Sequence, residues 1–247
     1  MRPDIVNLRQ FYSSQLGRKV KRRLRRLVRD YWPSGEGMHV VGLGYATPFL
    51  PLPRANPSAR VVAMMPMNQG AIYWPVDSAN HSALGDELRP PFLPSSLHRV
   101  LVVHAFEHLP APEEWLAVWW QLLVPGGRVM LMVPNRHGLW ARFGRTAFAQ
   151  GTPYTLHTLR TMLNAANFTV RDARSALYAP PSEHPFWLRM FSAIEWLGAM
   201  LASRMGGVLV IEAEKQIYAG IRPTALATKP SAHWTPSAVS TSPKEHG

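Results

Sequence analysis

The chain contains no cysteine, which excludes disulfide frameworks, thiolate zinc sites, Fe–S clusters and cysteine nucleophiles together and leaves the redox compartment unspecified. Acidic residues are scarce: 15 Asp and Glu stand against 27 Lys and Arg, a formal net charge of +12. Long apolar runs are missing too. The longest nearly apolar stretch, Met190 to Ala202, is interrupted by Glu195 and is too short to span a bilayer. The charged N-terminus is followed by no apolar signal region, so a cytoplasmic protein is expected, and no internal repeat is visible. The material for a core is ample, with 47% hydrophobic residues and nine Trp in 247 residues, which argues for one domain with extensions or two small ones and against wholesale disorder.

The charge is concentrated. Residues 1 to 32 carry Arg2, Arg9, Arg18, Lys19, Lys21, Arg22, Arg23, Arg25, Arg26 and Arg29 against Asp4 and Asp30, leaving the remainder nearly balanced. Leu16, Val20, Leu24, Leu27, Val28 and Tyr31 recur at helical spacing, predicting an amphipathic helix with a wide Lys/Arg face. Residues 1–35 are therefore set apart as a basic helical extension, suited to packing on the domain or to an anionic membrane surface. No specific nucleic-acid motif accompanies it.

From Met38 onward, short β-rich runs alternate with helical patterns, the signature of a mostly parallel sheet with helices on both faces. Strands are expected at His39–Leu43, Arg60–Met64, Arg99–Val103, Arg128–Val133, Phe168–Ala173 and Val208–Tyr218. Helices are expected around Trp115–Leu123, around Leu156–Ala166, and in an unusually apolar insertion at 185–205 marked by Trp187, Met190, Phe191, Ile194, Leu197 and Leu201. Pro66 to Pro94 reads as loop with at most a short helix, and the Pro/Ser/Thr/Ala-rich residues 221–247 read as a disordered tail. Trp187, Phe191 and Trp196 would serve a homodimer.

The most informative constellation begins with Val40-Val41-Gly42-Leu43-Gly44-Tyr45-Ala46-Thr47, a strand running into small residues, where glycine lets a ligand approach the backbone. There follow a second strand ending at Met64-Met65, a Gly85-Asp86 pair, and the turn Pro91-Phe92-Leu93-Pro94 before the next strand. That strand exits at His104-Ala105-Phe106-Glu107-His108, and Leu122-Leu123-Val124-Pro125-Gly126-Gly127 leads into another. This succession resembles the class I S-adenosylmethionine-dependent methyltransferases, in particular the small domains called type 11, over Met38 to Val133 with a looser continuation to Tyr218. The resemblance implies a Rossmann-like, seven-stranded methyltransferase fold over 36–220, S-adenosylmethionine as cofactor and a small-molecule methyl acceptor. It further implies cofactor contacts at Gly42, Gly44, Tyr45, Met65, Asp86 and His104, with His108 as a candidate general base or substrate contact. The alternative is a methyltransferase-like binding or scaffold protein without catalysis.

The departures from that pattern are specific. Gly42 stands where the family has an acidic residue, Ala46 and Pro48 replace later loop glycines, and Met65 occupies the acidic ribose-binding position although methionine supplies no useful acceptor. Two rival chemistries are disfavoured. His104-x-x-Glu107-His108 spells a zinc-protease motif that requires one continuous helix, whereas here a β-rich run precedes it and Pro110 and Pro112 follow. Dinucleotide binding would need an acidic residue near Met64 and Met65, where there is none.

Overall fold

The computed structural model describes residues 2–33, 37–51, 60–142, 146–202 and 204–216. The described residues belong to one compact unit, and the expected tail lies outside them. Its centre is a seven-stranded sheet: β1 (Val40–Gly44), β2 (Val61–Pro66), β3 (Ser82–Gly85), β4 (Leu97–Val103), β5 (Leu123–Pro134), β6 (Phe168–Ala176) and β7 (Val208–Lys215), in the order β3-β2-β1-β4-β5-β7-β6. β7 runs antiparallel to its neighbours β5 and β6, and the remaining pairings are parallel. The expected α/β class and mostly parallel sheet are therefore present. β3 corrects the expectation of loop with at most a short helix over Pro66–Pro94: this four-residue edge strand carries too little apolar alternation for its period to be read.

Strand alternation sends successive side chains to opposite faces. On one face Val41, Leu43, Val100, Val102, Leu131 and Ile211 meet α3 (Pro112–Leu122) and α4 (Leu156–Ala165), whose Trp115, Trp119, Leu159 and Leu163 are fully buried. On the other, Val40, Ala63, Met65, Leu101, Val103, Met130 and Val210 meet α1 (Ile5–Ser13), α2 (Gln15–Tyr31) and α5 (Pro185–Leu201). The N-terminal segment thus supplies a structural layer of the sheet.

α1 lies outside the helix expected from the periodicity at 16–31. Its short stripe, Ile5, Leu8 and Tyr12, begins at Asp4, whose Oδ1 accepts from the Val6 amide at 2.8 Å. Ser14 ends α1 and starts α2: it is extended, and its Oγ accepts from the Gly17 amide at 3.0 Å. On α5 the buried contacts are Leu188, Phe191 and Glu195, while Trp187, Met190, Leu197 and Leu201 face solvent. Phe191, expected at a dimer contact, belongs to the core.

Candidate functional site

In an open parallel sheet, ligands enter beyond the carboxyl ends of the strands where the order reverses; here that point lies between β1 and β4. Gly44 ends β1 with φ +76°, and a Cβ there would lie 2.3 Å from the Val103 carbonyl oxygen. Its glycine is thus required by the approach of β4, and the Tyr45 amide donates to that same oxygen at 2.8 Å. A Cβ on Gly42 would meet Leu50 at 2.6 Å and Ala46 at 2.7 Å, so the space beside it is filled by the chain itself. Met65 is fully buried, with its sulfur 3.3 Å from the Ile72 amide. Asp86 is exposed and accepts from the Leu88 amide at 2.9 Å, an Asx turn.

His104 is the pivot. It is fully buried and adopts φ +53°, a left-handed conformation that costs a non-glycine residue about 1–3 kcal/mol and persists only where surroundings over-determine it. Three elements do so. The Tyr12 hydroxyl from α1 is 2.8 Å from its Nε2, Gln69 after β2 donates from Nε2 to its carbonyl at 3.1 Å, and Phe148 after β5 packs on the imidazole with ring centroids 4.4 Å apart. Tyr12 also stacks on Tyr45 at 5.3 Å. Burial raises the Tyr12 phenol well above its ordinary pKa, so it remains protonated.

Beyond His104 the chain makes a 3-10 turn, Phe106–His108, so the zinc-protease motif lies across a strand exit and a short turn instead of within one α-helix. Glu107 is buried with its carboxylate 3.5 Å from His104 Nδ1, outside hydrogen-bonding range. The loop after β5 closes over it: Thr152 donates its amide to the Glu107 carbonyl at 2.8 Å, and a Cβ on Gly151, at φ +84°, would strike Glu107 and His108. Arg2, before α1, reaches Asn68 at 2.6 Å and pairs with Glu87. Burial lowers the His108 pKa, against the opposing pull of Glu107.

A set of buried polar atoms at this end of the sheet has no hydrogen-bond partner among the described residues: Gln69 Oε1, His104 Nδ1, both Glu107 oxygens, His108 Nε2 and Arg2 Nε. Buried polar groups are ordinarily satisfied, and a buried carboxylate without partners is costly. The expected residues Gly44, Tyr45 and His104 meet at the β1/β4 exit; Gly42 and Met65 pack into the fold beneath it, and Asp86 stands apart on the surface. His108 borders the buried cluster. Tyr12, Gln69, Glu107 and Arg2 were absent from the expected set. Helical spacing of Ile5, Leu8 and Tyr12 could have found α1, but no local signal placed it over the strand ends.

No family model matches the sequence, and no curated protein matches it either. Solved structures do share the fold. A methyltransferase from Thermotoga maritima, described as S-adenosylmethionine-dependent and possibly a histamine N-methyltransferase, aligns with a TM-score of 0.58 at 15% identity, covering 86% of this chain and 96% of that one. An S-adenosylmethionine-dependent methyltransferase from Archaeoglobus fulgidus aligns at 0.53 with 16% identity, over 83% and 96%. The cyclase SpnF aligns at 0.52 with 14% identity, over 80% and 81%. The chain has the Rossmann-like class I methyltransferase fold, which among these neighbours carries more than one chemistry.

Proposed function

We propose that this chain is a cytoplasmic S-adenosylmethionine-dependent methyltransferase of the small type 11-like kind, acting on a small molecule. The observation that carries this reading is the unpartnered polar cluster at the carboxyl ends of β2 and β4, the end at which this sheet order receives ligands. Its chemistry fits the cofactor. Ribose hydroxyls need acceptors, and Gln69 Oε1 supplies a buried one where Met65 supplies none; a sulfonium and an ammonium need negative charge, which Glu107 supplies.

When bound, the cofactor supplies an electrophilic methyl group, whose displacement depends on positioning and exclusion of water. Gly44, Tyr45 and His104 shape the floor, while Tyr12 and Phe148 exclude water above the His104 imidazole. His108, whose lowered pKa keeps the imidazole neutral near pH 7, takes the proton an acceptor loses.

One observation favours the second reading, a methyltransferase-like binding protein without catalysis: Tyr12 fills the space over Tyr45 and His104, with no acidic residue at the end of β2. Calorimetric titration with S-adenosylmethionine and S-adenosylhomocysteine separates the two. The methyltransferase reading expects binding that Glu107→Gln weakens roughly tenfold or more, since loss of a charge-assisted contact costs about 1.5–3 kcal/mol. A folded protein giving no heat at millimolar ligand counts against the methyltransferase reading and in favour of the second.

A further inference from the structure

α5 is apolar around nearly its whole circumference. Its core-facing side is spent on Leu188, Phe191 and Glu195, yet the outward arc carries Phe186, Met190, Trp196, Leu197, Met200 and Leu201, with Trp196 67% and Leu201 71% exposed. The helix has two charged residues. Glu195 is consumed inside, accepting from the amides of Leu177, Tyr178 and Ala179 and from Arg23. Arg189 alone remains outward. A helix apolar on all sides is normally covered on all sides.

What lies next to it identifies the cover. α2 packs on the same sheet face, so the outward surfaces of the two helices point the same way. α2 presents Arg18, Lys21, Arg22, Arg25, Arg26 and Arg29, and among the described residues Arg23 is its only cation in an ion pair. Between the helices runs a cleft of about 230 Å³ with Lys19, Arg22, Arg23 and Arg26 along one wall and Phe191, Ser192, Trp196 and Ala199 along the other, and the Glu195 carboxylate that also lines it is already paired with Arg23. Cations beside an apolar floor match an anionic headgroup with its acyl chain attached. A two-fold dimer through α5 would instead bring two strongly cationic helices close together.

We propose that the joined face of α2 and α5 docks on an anionic lipid bilayer, with α5 lying in the interface and the α2 cations holding headgroup phosphates. No described helix is long and apolar enough to cross a membrane, so the association is peripheral. The Trp and Met side chains of α5 enter the headgroup–acyl boundary, and the cleft seats one headgroup.

The test is co-sedimentation of the full chain with vesicles of phosphatidylcholine alone and of phosphatidylcholine mixed with phosphatidylglycerol. Binding is expected only to the anionic vesicles, and raising salt from about 0.1 M to about 1 M, which shortens the Debye length from about 10 Å to about 3 Å, should release most of it. Arg22→Glu with Arg25→Glu should lower the partition roughly tenfold or more, at about fivefold per cation near the surface. Met200→Glu with Leu201→Glu should lower it comparably. Quenching of tryptophan fluorescence by brominated phosphatidylglycerol gives a readout on the unmutated protein. Equal binding to neutral vesicles, no binding to either, or unchanged binding by both double variants overturns the proposal. A dimer seen by light scattering and dissolved by Met200→Glu with Leu201→Glu also overturns it, in favour of a protein interface.

Discussion

The hydroxyl of Tyr12 lies 2.8 Å from Nε2 of His104, and both side chains are buried, although 92 positions separate them. This contact ties the first helix of the chain to the exit of the fourth strand. It makes the N-terminal segment part of the candidate site.

Removing that hydroxyl leaves the imidazole nitrogen without a partner in a dry environment. Tyr12→Phe is expected to destabilise the fold by about 1–3 kcal/mol, and Tyr12→Ala, which also empties the stack on Tyr45, by about 3–5 kcal/mol. Urea unfolding of the two variants checks the order.

Gly44→Ala combines a positive φ with a Cβ 2.3 Å from the Val103 carbonyl oxygen. Backbone strain of about 1–3 kcal/mol adds to displacement of β4, so this variant should be clearly less stable than the parent. Gly126→Ala has a similar φ of +71° but no atom within 4 Å of its Cβ, so it should lose only the strain. Thermal unfolding of both, side by side, separates strain from collision.

Glu195 holds three backbone amides as well as Arg23. Glu195→Ala should cost about 3–5 kcal/mol, as expected when one partner of a buried charged network is removed, and should raise hydrogen exchange at Leu177, Tyr178 and Ala179. Arg23→Ala should cost less, about 1 kcal/mol, because Arg23 is partly solvated.

The pH profile of stability has two flanks. His108 is depressed below 6.5 in the fold by burial, so its contribution is complete above the unfolded value and is lost as pH falls through the folded one. Tyr154, near Glu107, is pushed up to about 12 chiefly by burial, so its contribution is present below the ordinary phenol value near 10 and is lost as pH rises towards 12. His108→Gln should flatten the acid flank and Tyr154→Phe the alkaline one, in chemical denaturation across pH. Spectrophotometric titration should show Tyr12 and Tyr154 ionising late.

Much of the fold was legible because its signals are local. Each long buried strand declares itself through β-branched and aliphatic runs such as Val100 to Val103, and α2 through the spacing of Leu16, Val20, Leu24 and Leu27. β3 was not legible, since a short edge strand pays little of its stability through side-chain burial. The site was legible only in part. Gly44 and His104 stand at strand exits that the sequence pattern marks, whereas the burial of Met65 and the close packing around Gly42 were not legible there.

The amino-acid order alone determined the α/β class, the basic helix, the apolar helix near the C-terminal strand and the strand exits, because periodicity and turn chemistry act between residues a few positions apart. Only the tertiary structure decided that Tyr12 closes over His104, that Gln69 and Glu107 are buried beside it without partners, and that α2 and α5 lie side by side with cations next to exposed tryptophan. Glu107 is only three positions from His104, but Gln69 and Tyr12 reach that histidine from 35 and 92 positions away, and pairing over such distances is set by which faces the packed layers bury, a property of the whole sheet that no local pattern encodes.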